Sequence, residues 1–153
     1  HGLGLNDIQE VIADMGPFEG AKEFVEWVST HFQLIILSDT FYEFAHPLMK
    51  QLGWPTIFCH KLETDEKGMI TAYKLRQPDQ KRQAVKALHG LNFRVIAAGD
   101  SYNDTTMLGE ADHGFLFDAP ENVIAEFPQF PPIHGYAALK EAIRNASIRN
   151  IPA

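Results

Sequence analysis

An α/β fold built on an open, mostly parallel sheet covered on both faces is predicted by three features of the sequence. Two short, wholly apolar runs, Leu34-Ile35-Ile36-Leu37 and Val95-Ile96-Ala97-Ala98, read as strands buried on both sides. Segments with apolar residues at helical spacing lie before, between and after them. Each run then breaks at small polar residues, Ser38-Asp39-Thr40 and Gly99-Asp100-Ser101, where a strand hands over to a helix. Strand and helix in alternation are the pattern of a parallel sheet.

The elements follow in order. From Asn6 to Met15, apolar Ile8, Val11, Ile12 and Met15 mark an amphipathic helix that Gly16-Pro17 ends. A second stripe, Ala21, Phe24, Val25, Trp27 and Val28, precedes the Leu34–Leu37 strand. Thr40 with Glu43 forms a capping-box pattern, opening a helix over Phe41, Phe44, Leu48 and Leu52 that stops at Gly53. Pro55–Cys59 is the next strand, and residues 61–76, turning at Asp65-Glu66-Lys67-Gly68, form a β-hairpin. Pro78-Asp79 starts a helix through Val85, Leu88 and Leu91, followed by a strand over Arg94–Ala98. A helix at 102–111, a strand at 114–117 and helices at 120–126 and 136–146 complete the chain. No repeat and no linker is visible.

With 153 residues, 45% apolar and 22% charged, the sequence has the size and composition of one globular core. Twenty acidic against thirteen basic residues give a net charge of −7, and no basic cluster exceeds Lys81-Arg82, so a nucleic-acid partner is not expected. The apolar runs fall far short of the roughly 18 residues of a membrane span, and no signal-peptide pattern opens the chain. The single Cys59, within an apolar run, reads as a buried small hydrophobe in a reducing, cytoplasmic setting.

In such sheets ligands bind at the carboxyl ends of the strands, where helix N-termini favour anions. At the first end, Ser38 can donate a hydroxyl to a phosphate oxygen, and as alternatives Ser38 and Thr40 serve only as caps. At the second end, Asp100, Asn103 and Asp104 crowd one strand mouth. Ser101-x-x-Asp104 accounts for Asp104 as a cap but leaves Asp100 without a local duty, and hard oxygen donors of this kind suit Mg2+. Lys81 and Arg82 sit in the first turn of a helix, where cations oppose the dipole by about 0.3–1 kcal/mol each. Asp79 offsets one of them. Together these features point to a phosphate held with Mg2+. Dinucleotide, P-loop and nucleophile-elbow motifs are absent, and the seven His show no H-x-x-x-H pair for zinc.

In order and spacing, Ser38, Lys81 and Gly99-Asp100-Ser101-x-Asn103-Asp104 resemble motifs two, three and four of the haloacid dehalogenase superfamily. Ser38-Asp39-Thr40-Phe41-Tyr42-Glu43-Phe44 and Gly99–Met107 look most like its phosphoserine phosphatase group, in the branch described as phosphoserine phosphatase/homoserine phosphotransferase. The common group has Ser-Gly-Gly where this chain has Ser38-Asp39-Thr40, which leaves the phosphoryl acceptor open. The resemblance implies a three-layer sandwich and the hydrolysis of O-phosphoserine through an aspartyl phosphate, with homoserine as an alternative acceptor. It further implies that Ser38 and Asp39 contact substrate or phosphate, that Asp100 binds Mg2+ and that Asn103 holds substrate or phosphate. Lys81 and Asp104 would be catalytic, Lys81 neutralising phosphoryl oxygens and Asp104 ordering the metal shell.

The family's first motif, D-x-[DE]-G, supplies the nucleophile and the general acid/base, and these 153 residues do not contain it. The spacing Glu63-Thr64-Asp65-Glu66 falls in the hairpin turn. By the resemblance, residues 1–16 are the tail of a helical cap and 17–153 a core lacking its first strand, so the chain, which begins at His1, reads as N-terminally truncated. That strand belongs between Leu34–Leu37 and Arg94–Ala98. Losing its buried side chains forfeits about 1.5–3 kcal/mol each, against a typical stability of roughly 5–15 kcal/mol. The chain alone is expected to be marginal or to associate, as monomer or homodimer, without phosphatase turnover. The alternative is a receiver-like module that binds Mg2+ and transfers nothing.

Overall fold

The computed structural model describes residues 4–148. They fall into two compact units dividing between Pro78 and Asp79. The first holds α1 (Leu5–Met15), α2 (Ala21–His31), β1 (Ile35–Phe41), α3 (Tyr42–Gln51), β2 (Thr56–Thr64) and β3 (Ile70–Lys74). The second holds α4 (Gln80–Gly90), β4 (Ile96–Gly99), a 3-10 turn at Tyr102–Asp104, α5 (Thr105–Glu110), β5 (His113–Phe117), α6 (Glu121–Glu126), β6 (Pro132–Ile133) and α7 (Gly135–Ala146). The strands form two three-stranded sheets, ordered β1-β2-β3 and β4-β5-β6, in which β1 and β4, the strands expected to flank the absent first strand, are each terminal. The fold is α/β and its strand pairs are mostly parallel, with β2–β3 the antiparallel exception.

In the first unit, β2 runs past the predicted Pro55–Cys59 because it serves two partners. Its first part pairs parallel with β1 and Lys61–Thr64 pairs antiparallel with β3. The hairpin turn is closed by Asp65, whose Oδ1 accepts the N–H groups of Lys67 and Met69 at 2.9 Å each. Gly68 supplies the positive φ, +75°, that the turn requires. The apolar stripe of α1 divides: Ile8 and Ile12 are half-buried while Val11 and Met15 are exposed. What fixes α1 beside α3 is polar, since Gln9 donates to the Glu43 carbonyl at 2.7 Å and Gln51 to that of Ala13 at 3.0 Å. Val28, Ala45, Met49 and Cys59 are the buried apolar residues of this unit.

The capping box expected at Thr40 does not form. β1 continues to Phe41, which pairs with His60, and α3 begins at Tyr42 with no side-chain cap. Ladder pairing to β2 wins over the local cap, and Glu43 turns to accept the Leu62 N–H at 2.9 Å.

The second unit has the denser core, with Val85, Leu108, Leu116 and Val123 essentially inaccessible. α5 lies tight on β5 because Gly114 has no side chain; a Cβ there would stand 2.5 Å from the Leu108 carbonyl oxygen. The predicted helix at 102–111 resolves into the 3-10 turn and the short α5. The two-residue β6 is too short to leave a pattern in the sequence. Among the described residues no helix is long and apolar enough to cross a membrane.

Candidate active site

In the second unit, β4 delivers its last residue, Gly99, to a strand mouth shaped by the absence of a side chain. A Cβ at Gly99 would lie 2.5 Å from the Asp104 Cβ and Cγ. The Asp104 side chain occupies that space, and the residue is 5% exposed. Its Oδ1 accepts from Lys81 Nζ at 2.8 Å. Its Oδ2 accepts from the Asp100 N–H at 3.0 Å and from the Ser101 N–H and hydroxyl at 3.1 Å each. A buried ion pair is tolerable when its lone pairs are filled in this way.

Lys81 is therefore not a solvated cation on a helix face. It is buried, and its charge opposes the α4 dipole only with Asp104 beside it. Arg82 takes Glu110 at 2.8 Å and lies 4.0 Å from Asp79. Asp79, at φ +49°, makes no cap hydrogen bond; its carboxylate accepts the Thr106 hydroxyl at 2.7 Å and ties the start of α4 to α5. The offset by Asp79 expected from sequence thus falls mainly to Glu110 and Asp104.

The loop is also held from its outer side. Tyr102 donates its hydroxyl to Glu126 at 2.8 Å and accepts from Asn122 at 3.3 Å, and its ring meets Phe127 edge-on at 5.8 Å. The hydrogen bond to the Glu126 carboxylate raises the phenol above its ordinary range. Between these two anchorages Asp100 and Asn103 are exposed at the carboxyl end of β4. Among the described residues no group of three or more His, Cys, Asp or Glu side chains gathers as a ready metal cage. Asp100 has the hard oxygen chemistry that Mg2+ takes as one of its one or two protein carboxylates.

In the first unit, Ser38 and Asp39 lie on an irregularity of β1. Leu37 pairs with Phe58 and Phe41 with His60, so β1 carries two residues more than β2 over this stretch. Bulges of this kind re-aim side chains near functional sites. The Ser38 hydroxyl accepts the Thr40 N–H at 3.3 Å, a local turn in place of a helix cap. Buried His60 faces Asp39, with Nε2 3.8 Å from Oδ1. Arg76 closes the network: its backbone N–H donates to His60 Nδ1 at 3.0 Å, and its guanidinium donates to the Cys59 carbonyl and the Tyr42 hydroxyl at 3.2 and 2.6 Å.

Lys81 and Asp104 are thus brought into contact, Asp100 and Asn103 flank them, and Ser38 and Asp39 share the β1 bulge. Gly99, Tyr102 and His60 were not singled out from sequence. Gly99 reads there as a strand breaker opening the Gly99–Asp104 block, with no role of its own, and the partners of Tyr102 and His60 are 24 and 21 positions away, as Glu126 and Asp39.

The strand mouth carries a locked Lys–Asp pair beside an exposed carboxylate and amide, and residues 4–112 match the haloacid dehalogenase-like hydrolase family. The chain belongs to that family. It is 62% identical over 151 residues to phosphoserine phosphatase ThrH of Pseudomonas aeruginosa, covering 99% of this chain and 74% of that protein. It is 60% identical to a phosphoserine phosphatase of Pseudomonas syringae pv. tomato, again over 99% of this chain but 64% of the relative. Among solved structures, a substrate-bound phosphoserine phosphatase superposes with a TM-score of 0.76 at 19% identity, over 94% of this chain and 70% of that one. A phosphoserine phosphatase from T. onnurineus gives 0.72 at 22% identity, over 94% and 67%. At these identities the structural likeness speaks for the fold.

Proposed function

We propose that the chain is the greater part of a Mg2+-dependent phosphoserine phosphatase that works through an aspartyl phosphate, with homoserine as an alternative acceptor to water. The observation that carries this reading is the locked Lys81–Asp104 pair holding the Asp100 backbone at the end of β4, and the names of the two Pseudomonas relatives support the substrate. Phosphoryl transfer needs cations on the equatorial oxygens and in-line positioning. Lys81 would bring its ammonium to those oxygens, Asn103 would hold the phosphoester, and Asp104 keeps Lys81 and the Asp100 backbone in register; Ser38, on the first unit, is a phosphate-binding candidate by the resemblance. Asp100 would hold the Mg2+, which supplies charge neutralisation at the phosphoryl group when bound.

The 153 residues contain no D-x-[DE]-G, and without that nucleophile the chain by itself is expected to bind and not to turn over. The test is phosphate release from O-phosphoserine by the chain with Mg2+, alone and with a peptide bearing an apolar strand that ends in D-x-[DE]-G. The expected result is no release alone and release with the peptide. Robust release by the chain alone overturns the assigned nucleophile, and binding without release in both cases favours the non-catalytic module.

A further inference from the structure

We infer that Tyr102, gripped by α6, is a positioning residue for the phosphate contact at Asn103 and acts separately from the Mg2+ end of the same turn, a role that rests on the phosphatase reading above. The turn from Asp100 to Asp104 presents two exposed groups, Asp100 and Asn103, and each end has its own anchorage. At the Asp100 end, the buried Asp104 carboxylate takes the N–H groups of Asp100 and Ser101. Asn103 lies beyond those bonds, inside the 3-10 turn and directly after Tyr102. The Tyr102 carbonyl accepts the Thr105 hydroxyl at 2.8 Å, while the side chain leaves the turn for α6.

Asn122 and Glu126, four positions apart, share one face of that helix. The phenol hydroxyl between them uses both of its capacities, donating to Glu126 and accepting from Asn122. Phe127 backs the ring and stacks on Phe130, and α6 is itself fixed in the core by Val123. The residue before Asn103 is thereby tied to a rigid element. Tyr102 is 44% exposed, and hydrogen bonds made at the surface add little to stability. What they add here is direction. An amide that has to meet a phosphate oxygen at hydrogen-bond distance binds more tightly when its backbone is ordered before the ligand arrives.

The test uses the full chain and two probes: Mg2+ alone, read from the NMR shifts of the Asp100 and Ser101 amides, and inorganic phosphate with Mg2+ present, read from the Asn103 side-chain amide. Tyr102→Phe is expected to bind phosphate about three- to tenfold more weakly, up to the worth of one charged hydrogen bond, and to leave the Mg2+ affinity where it was. Glu126→Ala should repeat that pattern, and Glu126→Gln, which keeps an acceptor for the phenol, should restore the phosphate affinity. Tyr102→Phe combined with Glu126→Ala should bind phosphate no more weakly than either alone. In the unmutated chain, phosphate should also shift the Tyr102 and Glu126 signals and Mg2+ alone should not, a readout that needs no variant. An unchanged phosphate affinity in Tyr102→Phe, both affinities falling together, or no recovery in Glu126→Gln overturns this inference alone. An unmutated chain that does not bind phosphate overturns it together with the phosphatase reading.

Discussion

Lys81 shows why a site residue is hard to weigh from sequence. In the linear chain it is one of two adjacent cations in a first helical turn, and solvation describes Arg82 well, at 44% side-chain exposure, but not Lys81, at 11%. The difference is one of direction around α4: Lys81 points to Asp104 and Arg82 to Glu110. Removing Lys81 would leave a buried carboxylate without its counter-ion. Lys81→Met is expected to destabilise the fold by about 3–5 kcal/mol, read as a lowered urea midpoint. Asp100, by contrast, stood out in the sequence because a capping scheme accounted for Asp104 and left it over, and the structure places it exposed at the end of β4. The reason for Gly99 at the head of its block was not visible, since what it makes room for is a side chain five positions on that folds back across it.

At the scale of elements, the short apolar strands and the hairpin turn could be read directly, and the boundaries followed local rules except where tertiary pairing intervened. β1 outran its predicted end because β2 offered it a ladder, and β2 outran its own because it serves strands on both sides. Helix α1 kept its predicted span, yet its face was misjudged: Gln9 and Gln51 hold it, and half of its apolar stripe is exposed. The approach to β4 rests on Asp112, whose carboxylate accepts the Val95 N–H at 2.7 Å and faces His89 at 3.1 Å. The backbone hydrogen bond from Val95, then the His89 interaction, hold this carboxyl below its ordinary value. A depressed carboxyl gives its full stabilisation above the unfolded value of about 3.9 and loses it as the pH falls through the folded one. Asp112→Asn should therefore flatten the decline of stability below about pH 4 in acid titrations followed by circular dichroism.

For the whole molecule, the uneven core predicts uneven stability. Of the five most buried large side chains, Val85, Leu108, Leu116 and Val123 lie on α4, α5, β5 and α6 and Cys59 on β2, whereas all five residues of β3 are exposed. Native-state hydrogen exchange should find the β5 amides protected at least about tenfold more than those of β3, and a uniform profile would contradict this partition. The fold class was legible because alternation and apolar runs are local properties of the chain. The runs Leu34–Leu37 and Val95–Ala98 do not by themselves say which neighbour each strand acquires; the break between them followed only from the resemblance, which put an absent strand there. Each is the terminal strand of its own sheet, and its apolar composition reports covered faces, not the number of strands beside it.

The irregularity in β1 also bears on how the gene could tolerate changes in length. Its surplus over β2 is two residues, an even number, so the inward and outward phases of the side chains before and after it agree. A two-codon deletion between Leu37 and Phe41 would leave every remaining strand residue on its present face, while a one-codon deletion would invert all those beyond it.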